Sequence, residues 1–378
     1  HGYQTQVYLE EVKDQQEYVH DKLGRLPLPQ LTLIEIPYEA AAEVPPSEDR
    51  RSPESGKPEQ AVPGWFKKSA APALAAAAGR MPGILLIPEN LVGYLHERMW
   101  LLERLDRDPR TIPFFLRLPD ILRALHDQFY KKLIAAYFDY SLHPTGELAF
   151  WLDEDLARYA SKLLEQNPWR RRAELKYDVG AETQLPLSIA SRSSLLDLRR
   201  GGEYPQLEQV RGEGLFRMIH HLLGDDKWWE LLKGIFQDYG NREMPVDDFL
   251  ARVQAAYGQD FRWFVDQWIL GSALPEYEIV QADAKILPNK EGNGVEYPIL
   301  IRVKNHGTGR MAVPIFVETE MDYVFRDLWL DAHDEQTLTL TVPHRPIFAA
   351  VDPENQVLQV PFLDPIKKSR GHSETRII

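Results

Sequence analysis

The sequence contains no cysteine and no run of apolar residues long enough to cross a bilayer. Without Cys there are no disulfide bonds, no thiol nucleophiles and no cysteine-based zinc or iron–sulfur sites. A membrane-spanning helix needs about 18 or more consecutive apolar residues, so no span is predicted within this chain. Basic residues are also fewer than acidic ones, 44 against 57, which gives a formal net charge of −13. This balance argues against a nucleic-acid backbone or an anionic membrane surface as the main partner.

Three local motifs of catalysis and nucleotide binding are missing as well. There is no G-x-S-x-G, so nothing supports a serine nucleophile at a strand-to-helix elbow. There is no G-x-x-x-x-G-K-[ST] phosphate loop, so any ATPase activity belongs to another chain. H-E-x-x-H, which places two zinc-binding imidazoles one helical turn apart, is found nowhere.

What the chain does have is the composition of an ordinary globular protein. A hydrophobic content of 44% and an aromatic content of 11% over 378 residues argue against global disorder. This length allows about two or three domains. Because the sequence starts at His1 rather than at Met, we expect it to be part of a longer protein.

The first part of the chain predicts a helix and two strands. Val7–Gly24 has spaced apolar residues and a closing glycine, which favours a helix. Pro29–Pro37 and Gly83–Pro88 are short apolar runs bounded by Pro or Gly, typical of buried strands. Between them, residues 42–82 are rich in Pro, Ser, charge and then Ala, which predicts an exposed insertion.

The next part predicts an array of helices. Glycines follow several of the apolar-periodic segments and mark helix ends. The predicted helices are Leu91–Leu105, Leu116–Asp139, Trp151–Glu165, Gly214–Leu223, Lys227–Tyr239, Val246–Tyr257 and Phe261–Leu270. Their aromatic clusters lie at helical spacing, which is more typical of core packing than of a ligand platform.

From Pro275 the composition changes to short β-rich runs separated by turns such as Asn293-Gly294. Five or more such strands predict a β-sandwich over residues 276–363, followed by a loosely ordered tail over 364–378. The fold class expected is therefore α+β.

The order of these segments resembles the M1 family of zinc aminopeptidases, the gluzincins. LPLPQLTLIEIP resembles the family's proline-containing stretch and strand, and WLDEDLARY resembles the helix that holds the third zinc ligand. The first 37 residues and IPENLVGYL look most like the M1-type domain fused to bacterial ABC-2 transporter permeases. The resemblance covers roughly Val7–Ala40 and Met81–Gln359.

This resemblance implies a domain order and a location. A remnant of the thermolysin-like catalytic domain is expected over 1–165, with the 42–82 insertion, and an α-helical domain over 166–275 before the β-sandwich. The chain would lie on the extracytoplasmic side of a bacterial membrane. Membrane spans and an ABC ATPase subunit would then be present in the full-length assembly, and no nucleic acid would be bound.

The resemblance also locates a vestigial metal site. Glu154 matches the third zinc ligand of the family. Counted back from Glu154 by the family's ligand spacing, the first His position falls on Lys131, the catalytic base on Lys132 and the second His on Ala135. A cationic Lys cannot replace a neutral imidazole, and Ala offers no ligand. No catalytic residue and no metal ligand is therefore predicted.

Other registers do not restore the site. His126 to Tyr130 needs inserted residues and ends in Tyr, whereas His96 to Trp100 ends in Trp. The family's catalytic Tyr is missing before Gly214, since Tyr204 is out of step. His220 and His221 are adjacent and cannot share a helix face. A triad could also be assembled from His126, His143, Asp153, Glu154 or Asp155, but scattered His residues are usually surface or core groups.

A carboxylate left at the old site needs a partner. We predict an ion pair between Lys131 and Glu154, with Lys132 at the rim, in place of the metal's charge. The alternative is that both side chains reach solvent separately.

Three functions remain open from the sequence. The first is a non-catalytic M1-like domain that binds a protein or peptide or assists assembly, with no cofactor. The second is an active zinc-dependent M1-type aminopeptidase with an atypical site. The third is a scaffold or spacer with no ligand in its cleft.

Overall fold

A computed structural model describes residues 17–24, 32–36, 84–88, 134, 138, 141–164, 193–202, 205–288, 295–359 and 374–377. The chain divides into two compact units. The first consists of His1–His143 with Phe236–Arg242, and the second of Pro144–Ile235 with Glu243–Ile378. The mixture of helices and sheets confirms the α+β class, whereas the predicted domain boundaries stay a prediction.

The first unit contains a short helix and a pair of strands. Helix α1 spans 17–23, and Gly24 follows it with a φ of 86°, in the left-handed conformation that closes helices. Strands β1, Thr32–Ile36, and β2, Ile84–Pro88, pair in parallel, as the two proline-bounded runs predicted. The exposed insertion predicted over residues 42–82 lies outside the described residues.

The helices of the array follow the predicted order. Their bounds are α2, Leu156–Leu163; α3, Leu195–Gly201; α4, Pro205–Leu223; α5, Asp225–Tyr239; α6, Val246–Tyr257; and α7, Arg262–Phe264. Two π-helical segments, Trp151–Asp155 and Val265–Ile269, lie directly before α2 and directly after α7. The predicted helix stops at Gly224 and Gly258 are confirmed, since both have positive φ. The helices predicted over Leu91–Leu105 and most of Leu116–Asp139 lie outside the described residues.

Two features of the helical array differ from the expectation. Helix α4 begins at Pro205 rather than at Gly214, because Gly212 and Gly214 are interior positions and not breakers. Helix α3 was not predicted at all. Its signal is present, since the Ser194 side chain accepts from the Asp197 backbone N–H and the Asp197 side chain accepts from the Ser194 backbone N–H.

The strands after Pro275 form two antiparallel sheets. Their bounds are β5, Tyr277–Ala284; β6, Leu287–Pro288; β7, Val295–Asn305; β8, Met311–Thr319; β9, Tyr323–Leu330; β10, Glu335–Val342; β11, Pro346–Val351; and β12, Glu374–Arg376. One sheet has the order β10-β7-β5 with β6 beside β7, and the other has the order β12-β11-β8-β9. A further short pair joins β3, Leu142–Thr145, to β4, Arg242–Pro245.

The two sheets account for the β-rich composition. Alternate residues of β7, such as Ile299, Ile301 and Val303, are buried, as are Ile315 and Val317 of β8. The tail predicted to be loosely ordered contains β12, which pairs with β11. The predicted Asn293-Gly294 turn lies outside the described residues.

No helix within the described ranges is both long enough and apolar enough to cross a membrane.

Candidate functional site

The segment that resembles the family's third-ligand helix is π-helical at its start. Trp151 opens it and is fully buried, with its ring stacked at 4.3 Å on Phe216 of α4. Its Nε1 donates a hydrogen bond of 3.0 Å to the Gly212 carbonyl. Single π-helical turns are common at functional sites, because the extra residue redirects the side chains that follow. Here those side chains are Asp153, Glu154 and Asp155.

Glu154 is bound by a guanidinium. Arg199 of α3 donates from Nη2 to Oε1 at 2.8 Å and from Nη1 to Oε2 at 3.4 Å. Arg158, one turn along, lies 4.0 Å from the same carboxylate. The Glu154 side chain is 39% exposed, so the pair lies at the edge of the helix packing and not in a closed cavity.

Arg199 of α3 also contacts α4 and the residue that precedes the π-helical segment. Its Nη1 donates to Glu208 of α4 at 3.1 Å, and its guanidinium lies 4.7 Å from the centre of the Phe150 ring. A planar guanidinium can pair with a carboxylate and stack on an aromatic face at the same time. Arg199 therefore connects the π-helical segment, α3 and α4.

The predicted Lys131–Glu154 ion pair cannot be compared with the structure, because Lys131, Lys132 and Ala135 lie outside the described residues. It stays a prediction. What the described residues add is that Glu154 has a different cationic partner, Arg199, which sequence reasoning missed. The missed signal was the arginine pair at the end of the capping-box helix α3.

The next residue, Asp155, is buried against a glycine of α4. Its Oδ1 accepts a hydrogen bond from Arg158, while its Oδ2 has no hydrogen-bond partner among the described residues. A Cβ on Gly212 would overlap the Asp155 carboxyl group. Gly212 is therefore required for the close approach of the two segments.

The environment of Asp155 disfavours its charged form. Burial raises the pKa of this carboxyl to about 8, and the neighbouring acids Glu213 and Glu208 act in the same direction. Arg158 opposes this effect by favouring the carboxylate, but the desolvation is larger.

Around Asp155 the helices hold a partly buried charged cluster. Glu213 pairs with Lys162 and, at 3.2 Å, with Nε of Arg158. We use the name charged cluster for the acids Glu154, Asp155, Glu208 and Glu213 and the bases Arg158, Lys162 and Arg199. It has one more acid than base, which agrees with a neutral Asp155.

The two adjacent histidines of α4 point to different partners. His220 bonds through Nδ1 to the Tyr159 hydroxyl at 2.8 Å and through Nε2 to Asp225 at 2.7 Å. His221 lies 3.2 Å from the Ala312 carbonyl and 3.5 Å from Asp327. Burial lowers the pKa of His220, so this ring is more weakly basic than a solvated imidazole. Neither His is directed toward Glu154.

The described residues do not fit the zinc ion that the resemblance implies. No group of three or more His, Asp or Glu side chains in the described part of the chain is arranged to hold a metal. Zinc requires deprotonated or neutral donors, usually His, Cys or a carboxylate. The one described position of the family site, Glu154, has both carboxylate oxygens paired with Arg199. Of the other candidate ligands, His126 lies outside the described residues and His143 is exposed.

Comparison with known proteins gives a distant likeness to solved structures. No protein-family model and no curated protein matches the chain. Among solved structures, the chain is similar to the Legionella pneumophila aminopeptidase A crystallised with aspartic acid, with 15% identity and a TM-score of 0.39. The likeness covers 66% of this chain and 28% of that one, so this chain spans well under a third of the length of its structural neighbour.

Proposed function

We propose that this chain is a non-catalytic M1 peptidase-like domain of a bacterial membrane protein of the ABC-2 permease type. In this proposal it lies on the extracytoplasmic side, binds a protein or peptide or assists assembly, and ends in a β-sandwich built from the two antiparallel sheets. The membrane spans and the ATPase subunit belong to other parts of the assembly. The support is the ordered resemblance of the sequence segments together with the chemistry at Glu154.

The ion pair between Glu154 and Arg199 carries the proposal. A zinc-ligating carboxylate must present an oxygen lone pair to the metal. Arg199 engages both oxygens of Glu154 through two guanidinium nitrogens, at 2.8 and 3.4 Å. Such fork-like pairs are stronger and more directional than neutral hydrogen bonds. A second cation at this position would be repelled by the guanidinium and would have to displace it.

The remaining family positions agree with this interpretation at the level of residue type. Lys131 and Lys132 carry positive charge and Ala135 carries no donor atom. A hydrolytic zinc site also needs an acid or base next to the bound water. Glu154 is the only one of the four family positions with a possible zinc donor, so the chain is expected to keep the fold and to have lost hydrolysis.

An activity assay tests this proposal. The purified chain is incubated with aminoacyl fluorogenic substrates with and without added zinc, beside the Glu154→Gln variant and an active zinc aminopeptidase. We expect no turnover above the blank for the wild type or for the variant. Turnover that a chelator abolishes and that Glu154→Gln removes would instead support the active-enzyme alternative.

A further inference from the structure

An aromatic patch lies on the outer face of the β8–β9 pair. Phe316 of β8 lies directly opposite Phe325 of β9, and their ring centres are 5.0 Å apart. Tyr323 lies 5.8 Å from Phe316 and 6.0 Å from Phe325. The Tyr323 side is open to solvent, since this residue is 68% exposed. We call Phe316, Tyr323 and Phe325 the aromatic patch.

The same sheet face is covered farther along β9. Trp329 lies two register positions beyond Asp327 and contacts the ring of Trp263 at 5.7 Å. His221 of α4 lies 3.5 Å from Asp327. The row of alternate β9 side chains therefore runs from contacts with the helices onto the exposed aromatic patch, with one carboxylate, Asp327, between Trp329 and Phe325. Exposed aromatic rings beside a stretch of the same face that packs on helices are typical of a partner-binding surface.

The charge beside the aromatic patch is negative. Glu318 lies opposite Tyr323 in the register of the two strands, is exposed and forms no ion pair with any described residue. The nearby acids are already paired, Glu320 with Arg345 at 3.8 Å and Asp322 with His344 at 3.3 Å. An unpaired carboxylate beside aromatic rings favours a cationic side chain, because the ring faces attract cations as well.

Strand β9 also offers hydrogen-bonding groups. It is the last strand of the order β12-β11-β8-β9, and no described strand pairs with its outer edge. An open edge can accept an added strand, whose backbone supplies affinity and whose alternate side chains supply specificity. On β9, those alternate positions fall on the aromatic patch and on the opposite face at Val324, Arg326 and Leu328.

We propose that the edge of β9 and the aromatic patch bind an extended basic peptide segment of a partner protein, with Lys or Arg side chains over Tyr323, Phe325 and Glu318. The alternate residues of that segment face Val324 and Leu328 and are aliphatic, because Arg326 on that side repels a cation. The net charge of −13 favours the approach of a basic partner. This inference rests on the protein- or peptide-binding role proposed above and names the class of partner, but it does not depend on whether the chain hydrolyses peptides.

A second copy of this chain fits the edge less well. If the β9 strands of two copies pair antiparallel about a two-fold axis, one residue of the first copy lies directly opposite the same residue of the second. The registers with the largest overlap centre on Arg326 or on Asp327, so each brings like charges face to face. Like charges directly opposite one another destabilise a strand pair.

Fluorescence anisotropy with a labelled alternating peptide, acetyl-Lys-Val-Lys-Val-Lys-Val-amide, tests the proposal. The acidic peptide with Glu at each Lys position is the matched probe. We expect saturable binding of the basic peptide. Glu318→Lys should raise the dissociation constant about tenfold or more, and Tyr323→Ala should raise it about threefold to tenfold. Loss of one contact or reversal of one charge in an interface has effects of about this size. The control Asp283→Lys, a charge reversal on β5 of the other sheet, should change affinity less than about twofold.

Circular dichroism and thermal melts first establish that each variant folds as the wild type does. Absence of saturable binding by folded wild type, equal binding of the acidic peptide, or no loss with Glu318→Lys would each overturn the proposal. Sedimentation of the free chain gives a further outcome. A dimer that Tyr323→Ala dissociates would identify a second copy as the occupant and would also contradict it.

Discussion

The helical array and the two antiparallel sheets are built on different kinds of interior. Between α2 and α4 the structure buries a carboxyl, Asp155, and the ion pair of Glu213 with Lys162. The strand positions that face the interior of the sheets are mostly apolar, as at Ile301 of β7 and Ile315 of β8, which are both fully buried. The stability of the helical region therefore depends on charge balance and on the close approach of two backbones. The stability of the sheets depends on the apolar area that they bury.

This difference explains where each region tolerates change. Buried ions contribute little net stability, but they become costly when one partner is removed. An apolar core loses stability in proportion to the volume removed, at every pH. The helical region is therefore expected to respond to substitution of Gly212 and, through Asp155, to pH, whereas substitutions at the apolar interior positions of the strands should cost the same at every pH.

The largest effect is expected for Gly212→Ala. The added Cβ would overlap the Asp155 carboxyl and force α4 away from the π-helical segment, which we expect to cost about 3 kcal/mol or more of the free energy of unfolding. Denaturant unfolding measures this cost. The matched control is Gly234→Ala in α5, where the nearest other atom is 3.8 Å away, so the variant should gain about 0.5–1 kcal/mol from helix propensity. Equal stabilities of the two variants would refute the close approach at Gly212.

A smaller effect is expected for Asp155→Asn, and it depends on pH. Because burial raises the pKa of Asp155 to about 8, the folded state holds the proton more tightly than the unfolded chain does. Its stabilising contribution is present at low pH and is lost as the pH rises from the ordinary aspartate pKa through about 8. Asn mimics the neutral acid, so the variant should be close to the wild type near pH 4, and its advantage should grow with pH to at least about 2 kcal/mol near pH 9.

A substitution in the sheets is the control for the pH dependence of stability. Ile301→Val removes one methylene group from an apolar interior and should cost about 1 kcal/mol at both pH values. If wild type and Asp155→Asn show the same pH profile, the neutral form of Asp155 is not what the folded state prefers.

The smallest effect is expected at the edge of the charged cluster. A double-mutant cycle of Glu154→Gln and Arg199→Gln should give a coupling of about 0.5–1 kcal/mol, because both side chains are about two-fifths exposed. The cycle of Glu147 and Arg200 is the control, since that pair has the same 2.8 Å distance but is 73% and 61% exposed. Its coupling should stay within about 0.3 kcal/mol. A coupling of the first pair no larger than the control would mean that Arg199 does not hold Glu154.

Sequence patterns predicted much of the fold and little of the site. Periodicity and closing glycines placed α5 and α6 close to their observed bounds, since these signals are local. The start of α4 was missed because Gly212 resembles a helix breaker until its contact with Asp155 is known. That contact joins residues far apart in the chain, and a single sequence does not contain it.

Prediction of the site is limited in the same way, by contacts between residues that are far apart in the sequence. The segment around Glu154 singles this residue out, and its predicted pairing with Lys131 stays a prediction. The described structure adds a partner that the sequence did not predict, Arg199. Arg199 belongs to α3, whose capping signal at Ser194 was present and not used. The raised pKa of Asp155 depends on burial, which no local motif encodes.

Zinc binding by the purified chain tests directly whether Glu154 still serves as a metal ligand. The chain is equilibrated with excess zinc, dialysed against metal-free buffer and analysed for metal content, with isothermal titration in parallel for wild type and Glu154→Gln. We expect zinc far below one ion per chain and no difference between the two proteins. Stoichiometric zinc that survives dialysis in the wild type and is lost in Glu154→Gln would contradict it.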